Sequence, residues 1–497
     1  MDQTQNIKIN AQYIFLHKMT VPVINLLITI FIVKKLSISD YGIYNLLLAI
    51  IGYLTLFSSM GMLNVFQRYI PEYNTKNEFY ILKKMFRSGM LLRLILTIIC
   101  IILLLTFKHQ LNHLFKADNL HVYIEYFALG IILFLEIQIV EVTLSSLLLN
   151  KYIFVSYLIS TIVRAIAVYL LLGRGMGIKG LLLAETFNYA VLFVLQMLFY
   201  YTGFARTHYS ESKPFPIRRL VHYAGFSYLD EVGETILDVK TDFFIISSFL
   251  GPTMVGLYAF ANQIIELISK ILPFKFMKSL IRPLFFSSFA KNQNMETLNY
   301  NFNFLMKIIA FIAFPTFVCL LMFSDKIILY LFDQKYLPAL NVLNVFTTFM
   351  IINSFQFPLQ LVVQAKEKVK ITFISKIFSV YNLIGDILII NFMGIVGVGL
   401  VTCTARLFEN IFIFIKIRKH VPLTIDFAPL LKIGINSLIL TVCLYFIKDL
   451  ATNLYMLIVL ILLSIVIYLL ISYINKSFLE EERNLINKML PKPIFVF

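Results

Sequence analysis

About fourteen predominantly apolar stretches of roughly 20 residues recur along this chain of 497 residues, each about long enough to cross ~30 Å of hydrocarbon as a helix. No other feature narrows the fold as far, because in hydrocarbon each backbone N–H and C=O must find its partner inside the protein. The stretches fall at 10–33, 41–66, 87–107, 121–147, 152–172, 177–201, 222–249, 254–274, 301–323, 338–363, 371–391, 395–415, 433–447 and 452–474, the thirteenth being the shortest. The expected fold class is therefore an all-α polytopic membrane protein. Composition agrees: 14% of residues are charged, against about 25% in soluble domains. The polar start "MDQTQNIKIN" runs into a full-length span and shows no cleavable signal. Tryptophan is absent, which leaves tyrosine and phenylalanine to form any interfacial belt.

Basic residues fix the orientation. With the N-terminus inside, cytoplasmic segments carry about 26 of the 43 Lys and Arg and the outer loops about 9, a bias that places both termini in the cytoplasm. The net charge of +16 thus belongs to loops between spans and not to a nucleic-acid groove. Cys100, Cys319, Cys403 and Cys443 lie singly in apolar runs with no ligand spacing and read as small core residues. His109, His113 and His121 read as an interfacial turn and not as a metal site. No P-loop pattern occurs and no soluble domain of useful size is present, so an enzyme is not expected, nor any cofactor beyond an H+ or Na+ gradient as driving force.

The sequence repeats itself weakly. "DYGIYNLLLAI" at 40–50 parallels "MVGLYAFANQI" at 254–264, aligning Gly42 and Tyr44 with Gly256 and Tyr258. Twenty-six residues after each glycine stands an arginine, Arg68 and Arg282. Gly177-Ile178-x-Gly180 likewise parallels Gly394-Ile395-x-Gly397. Two pseudo-repeated six-helix lobes of the same orientation follow, at 1–205 and 206–425, with two additional helices at 426–474 and a cytoplasmic tail at 475–497. Carriers built from two halves place substrate between them near the midplane.

The opening span and "LSISDYGIYNLLLAIIGYLTLFSSMGMLNVFQRYIPEY" resemble the start of the Wzx-type polysaccharide-biosynthesis flippases, relatives of the MATE drug exporters and the lipid II flippase. "KTDFFIISSFLGPTMVGLYAFANQI" is similar to that family's seventh-span motif, with Asp242 as its acid. The resemblance covers residues 8 to 420. It implies two lobes around a central cavity, in the cell (inner) membrane of a bacterium. The implied activity is transfer of a polyprenyl-pyrophosphate-linked oligosaccharide from the inner to the outer leaflet. Polymerase and glycosyltransferases of the same pathway are the implied partners.

Charges inside spans nominate a site, because each costs several kcal/mol unless it has a partner or a cavity. Glu266 with Lys270 and Arg406 with Glu409 have helical spacing for local pairing. Lys18, Arg164 and Lys240 have no acid on their own helix face or span to settle them, and Arg68 and Arg93 stand nearer the inner entrance. These five cations are the candidate ligands for pyrophosphate, since Lys and Arg give charge-assisted hydrogen bonds to phosphate oxygens. Asp230, Glu234, Asp238 and Asp242 step by four along the seventh span, each about 6 Å deeper than the last if the helix is continuous. Glu234, Asp238 and Asp242 are the candidate ion-coupling residues, loading and releasing H+ or Na+. Two readings stay open: Lys18 or Lys240 exchanges Asp238 or Asp242 for substrate, or these are fixed salt bridges. Glu136, Glu141, Glu185 and Asp386 have no cation within a turn, and the sequence does not assign them. A MATE-type antiporter of organic cations and a lipid II flippase are the rival functions. A membrane glycosyltransferase would need a larger outer loop than any present.

Overall fold

In a computed structural model, the chain is described over residues 3–205, 214–236, 238–271, 295–366, 368–489 and 495–497. The main helices of the first part are α1 (Gln3–Lys35), α2 (Ile38–Ser59), α3 (Met62–Thr75), α4 (Phe79–Thr106), α5 (Lys108–Leu114), α6 (Leu120–Ser146), α7 (Asn150–Gly173) and α8 (Gly177–Tyr200). They continue as α9 (Ile217–Ile236), α10 (Val239–Leu250) and α11 (Pro252–Ile271). The second part holds α12 (Met295–Leu331), α13 (Leu340–Ser354), α14 (Gln356–Ala365), α15 (Val369–Ser375), α16 (Ile377–Arg418), α17 (Phe427–Ile447), α18 (Leu454–Asn475) and α19 (Glu480–Met489). Caps mark several ends: Ser37 accepts from the Asp40 N–H at 3.0 Å to start α2, and Asn453 accepts from Met456 at 2.9 Å to start α18. The described chain divides into two compact units, Met1–Ala259 and Phe260–Phe497.

Eleven helical stretches among the described residues are long and apolar enough to cross a membrane. They account for twelve of the fourteen expected spans, because 371–391 and 395–415 run together in one stretch, Lys370–Arg418. Gly394 breaks that stretch with φ 56° and ψ −144°, which no helix contains. The seventh and eighth spans do not qualify. The expected single helix over 222–249 is two helices, α9 and α10, with Asp238 extended between them at φ −77° and ψ 144°. Helix α11, which carries the eighth span, is described only to Ile271.

Burial separates central helices from lipid-facing ones. The span of α2 is 72% buried and packs against α4, α6, α8, α9 and α10, whereas that of α18 is 22% buried. Leu462, Leu463, Ile465 and Val466 of α18 lie exposed, as a helix facing acyl chains requires.

The repeat is visible in the backbone. Gly177 and Gly394 both have φ +56°, a left-handed conformation that costs a residue with a Cβ. A Cβ on Gly180 would stand 2.8 Å from Met176 Cβ, and one on Gly397 would stand 2.7 Å from Met393 Cβ, the same neighbour four residues back. The other glycine pair goes further. A Cβ on Gly42 would lie 1.8 Å from the Pro252 carbonyl oxygen, and one on Gly256 would lie 2.1 Å from that of Ile38. Each glycine thus sits on the carbonyl four residues before the other, so the first turns of α2 and α11 cross backbone to backbone with matching contacts. Small residues permit such approach in membranes.

In the second unit, α17 and α18 pack on α12. Residues 478–489 do not hang free. Lys307 of α12 donates to both Glu482 oxygens at 2.8 and 2.7 Å, and both side chains are nearly fully buried. Glu482 also accepts from the Leu479 N–H at 2.8 Å, the return arm of a capping box opening α19. Around this pair, Phe311 meets Tyr468, Phe478, Phe495 and Phe497 at ring distances of 5.3 to 5.8 Å.

Candidate functional site

A cavity of ≈ 420 Å³ opens inside the first unit among α1, α2, α6, α7 and α8. Its charged lining residues are Glu141, Arg164 and Glu185. Arg164, which the sequence left without a local partner, finds it on the next span. Its Nε donates to the two Glu185 oxygens at 2.9 and 3.0 Å, and its Nη2 donates to Oε1 at 2.5 Å. Nη1 donates to Asn25 of α1 at 2.8 Å, and Tyr44 of α2 donates to Glu185 at 2.9 Å. Four helices therefore meet on one fork-shaped pair, the arrangement that makes a buried charge tolerable.

Glu141 and Gln138 lie on α6, three residues apart on the cavity side. Glu141 accepts from Tyr157 of α7 at 2.7 Å, and the Tyr157 ring meets His17 of α1 edge-on at 4.9 Å. Gln138 accepts from Arg93 Nη2 at 2.6 Å. Arginine has donors only, so this bond fixes the Gln138 amide: its oxygen faces Arg93 and its NH2 turns toward Thr55, 3.4 Å away. Arg93 is fully buried behind the cavity, between α4 and α6, and not at an open entrance. Its Nε and Nη1, Thr97 Oγ1 and both Glu136 oxygens are buried without hydrogen-bond partners among the described residues.

The break between α9 and α10 rearranges the seventh-span acids. Asp238 is the N-cap of α10 and accepts from the Lys240 N–H at 3.0 Å, while Lys240 Nζ lies 4.0 Å from its Oδ2. The Lys240 side chain lies over Gly52 of α2, where a Cβ would meet its Cδ at 2.9 Å. Asp242 is fully buried and accepts from Tyr258 at 2.6 Å. Tyr44 and Tyr258, paired by the repeat, thus each donate to a buried carboxylate. The even four-residue stripe requires one continuous helix, and the extended backbone at Asp238 ends it there. The side chains of Asp230 and Glu234 lie outside the described residues. Glu231, in contrast, accepts from Asn64 at 2.8 Å.

Lys18 lies exposed on α1, apart from the cavity lining. Arg68 is on α3 with a 55% exposed side chain, 3.5 Å from Glu72. Glu72 is the hub of that end: Lys76 donates at 2.8 Å and Arg219 donates at 3.0 and 3.1 Å while its guanidinium lies 4.7 Å from the Tyr69 ring centre. Hydrogen bonds from Lys76 and Arg219 hold the Glu72 carboxyl at about 2, below the usual carboxylate range. In the second unit Glu409 accepts from Lys376 at 3.0 Å, a partner 33 positions away that helical spacing with Arg406 does not reveal. The side chain of Lys270 and the whole of Arg282 lie outside the described residues.

A family profile described as "Polysaccharide biosynthesis protein" matches residues 33–341. The teichuronic acid biosynthesis protein TuaB of Bacillus subtilis (strain 168) is 29% identical over 139 residues, 28% of this chain and 28% of that one. The lipopolysaccharide biosynthesis protein WzxC of Escherichia coli (strain K12) is 25% identical over 185 residues, 36% of this chain and 37% of that one. The matched stretches thus span less than two fifths of either relative. Among solved structures, the lipid II flippase MurJ in its inward closed conformation superposes with a TM-score of 0.72 at 18% identity, over 96% of this chain and 99% of that one. An inward-facing multidrug resistance MATE family transporter of the MOP superfamily gives 0.67 at 16% identity, over 82% of this chain and 98% of that one. At these identities the likeness is one of fold.

Proposed function

From the premise that this chain belongs to the polysaccharide biosynthesis protein family, we propose that it is a flippase carrying a polyprenyl-pyrophosphate-linked oligosaccharide from the inner to the outer leaflet. The observation that carries the reading is the polar cavity in the membrane-embedded first unit, with an Arg164–Glu185 fork and Tyr44, Tyr157 and Asn25 around it. A packed structural bundle has no use for such a cavity, whereas alternating access needs polar volume within apolar walls. The likeness in fold to a lipid II flippase and to a MATE transporter supports movement of a solute by a conformational cycle, for which an H+ or Na+ gradient is the proposed driving force. In that cycle Lys240 and Arg68, with side chains 43% and 55% exposed, are open to a pyrophosphate together with the exposed Lys18, whereas Arg164 is committed to Glu185. The protein works without chemical catalysis, in the cell (inner) membrane, with both termini cytoplasmic. The polymerase and glycosyltransferases of the same pathway are its functional neighbours.

The test is translocation in reconstituted vesicles of a fluorescent polyprenyl-pyrophosphate oligosaccharide, with and without an imposed H+ or Na+ gradient. Gradient-dependent movement of that lipid, reduced in Lys240→Ala, is the expected result. Movement of an organic cation such as ethidium, with none of the lipid, would transfer the assignment to the drug-exporter branch.

A further inference from the structure

Charge in the first unit's cavity does not balance. Its lining carries one cation, Arg164, and two carboxylates, Glu141 and Glu185. Arg164 spends three hydrogen bonds on Glu185 and a fourth on Asn25, so the Arg164–Glu185 pair is neutral within itself. Glu141 is left with one donor, the Tyr157 hydroxyl at 2.7 Å, and with no ion-pair partner among the described residues. A carboxylate enclosed in a membrane bundle with no counter-charge costs several kcal/mol. One positive charge must accompany it.

We propose that Glu141 anchors a monovalent-cation site, for a proton or a sodium ion, in this cavity. A single uncompensated charge excludes a divalent ion, which would leave the cavity as unbalanced as before. The cavity lining suits a hard cation, because Ser160 and Thr161 of α7 and Asn188 of α8 carry side-chain oxygens. Gln138, one turn before Glu141, does not join them, since its oxygen is bound to Arg93. The other titratable or charged groups facing the site are Tyr157 and Arg164 from α7, Tyr189 and Glu185 from α8, and Tyr44 from α2. His17 of α1 stands behind the Tyr157 ring and Arg93 of α4 behind Gln138. Of these, histidine alone changes charge near neutral pH in the ordinary way. The site lies on α6, apart from the α10 acids that sequence spacing nominated. It deepens the transporter reading, and rests on it for the ion's role in driving movement but not for the binding itself.

Infrared difference spectroscopy of the full chain in lipid nanodiscs, without lipid-linked substrate, tests the site through the carboxylic-acid C=O band. The probes are pH steps at constant potassium and sodium steps at constant pH. Wild type should show a band that is lost on one or both steps: loss on pH alone identifies a proton site, and loss on added sodium identifies a sodium site. Glu141→Gln should abolish that response, while Asp238→Asn and His17→Asn keep it. An unchanged response in Glu141→Gln, or its loss in Asp238→Asn, overturns the proposal. Tyr157→Phe guards against misfolding of the first variant: it removes the one hydrogen bond to Glu141 and should shift the band, and an unshifted band overturns the proposal equally. Because no lipid substrate is present, a responding Glu141 beside inert vesicles would sink the flippase reading alone, and moving lipid beside a silent Glu141 would sink this one.

Discussion

Replacing Gly42 by alanine puts one methyl group where the structure has a backbone carbonyl. The new Cβ would lie 1.8 Å from the Pro252 oxygen and 2.9 Å from the Gly256 nitrogen, and real Cβ atoms essentially never come within 3.0 Å of such neighbours. Going from 1.8 to 3.0 Å requires the first turns of α2 and α11 to part by about 1.2 Å. Neither can yield as a side chain would: the obstacle is main chain, and the opposing contact of Gly256 with the Ile38 carbonyl closes the other side. Overpacking of this sort costs about 1–3 kcal/mol, and rigid backbone places this case at the upper end. Alanine's better helix propensity returns up to ~1 kcal/mol. The net loss of about 2 kcal/mol corresponds to a fall of roughly 4–8 °C in the unfolding midpoint of a unit this size. Thermal unfolding in detergent reads it. Gly256→Ala meets its own carbonyl at 2.1 Å and should cost nearly as much. The double variant is the sharper measurement, because helices that have parted once have room for both methyls. It should fall little further than the worse single variant, a departure from additivity of the kind that neighbours in contact show. Unchanged midpoints in both single variants, or a double loss equal to their sum, would refute the reciprocal crossing.

Three further outcomes are expected. Arg164→Met leaves Glu185 buried with Tyr44 as its remaining donor among the described residues and should cost about 3–5 kcal/mol, while adding Glu185→Gln restores much of it; equal losses in the single and double variants, by the same thermal assay, would contradict the fork. Glu72, whose folded value is depressed to about 2, contributes its tie to Arg219 above the ordinary carboxylate value of ~4.3 and loses it as pH falls through about 2. Hydrogen-exchange protection in the first turn of α9, taken relative to the intrinsic rate at each pH, should therefore be the same at about pH 6 and 5 and lower below about pH 3, with that step missing in Glu72→Gln. Glu482→Gln should destabilise the second unit by about 3 kcal/mol and Lys307→Met with Glu482→Gln by much less, and a double-mutant cycle with no coupling would show the pair to be idle.

Much of this architecture was legible because lipid leaves few options. Apolar length found twelve of the spans, and the spacing of the repeat aligned Gly177 with Gly394, which share φ +56° in the structure. The partner of Arg164 was not legible, since Glu185 lies 21 positions away on another helix and only packing brings the two together. Reading 222–249 as one helix failed for a local reason. Asp238 is a good helix N-cap, and a serviceable cap inside an apolar run starts a new helix there. Lys307 carries a signal of the same kind as Lys18 and Arg164: a lysine with no acid within a turn of α12 demands a distant partner. The tail supplied it.

That docking has a consequence for how the protein is made. Lys307 enters the bilayer with its span, but Glu482 is 175 positions downstream. At about 5–20 residues per second, the lysine waits on the order of 10 to 35 s for its counter-charge. During that interval the nascent second unit holds a cation whose partner among the described residues, Glu482, has not yet been made. A chain cut short anywhere before residue 482 would insert its spans and still carry that stranded charge. Closure of the Lys307–Glu482 bond therefore comes only after the second unit's helices up to α18 have been made.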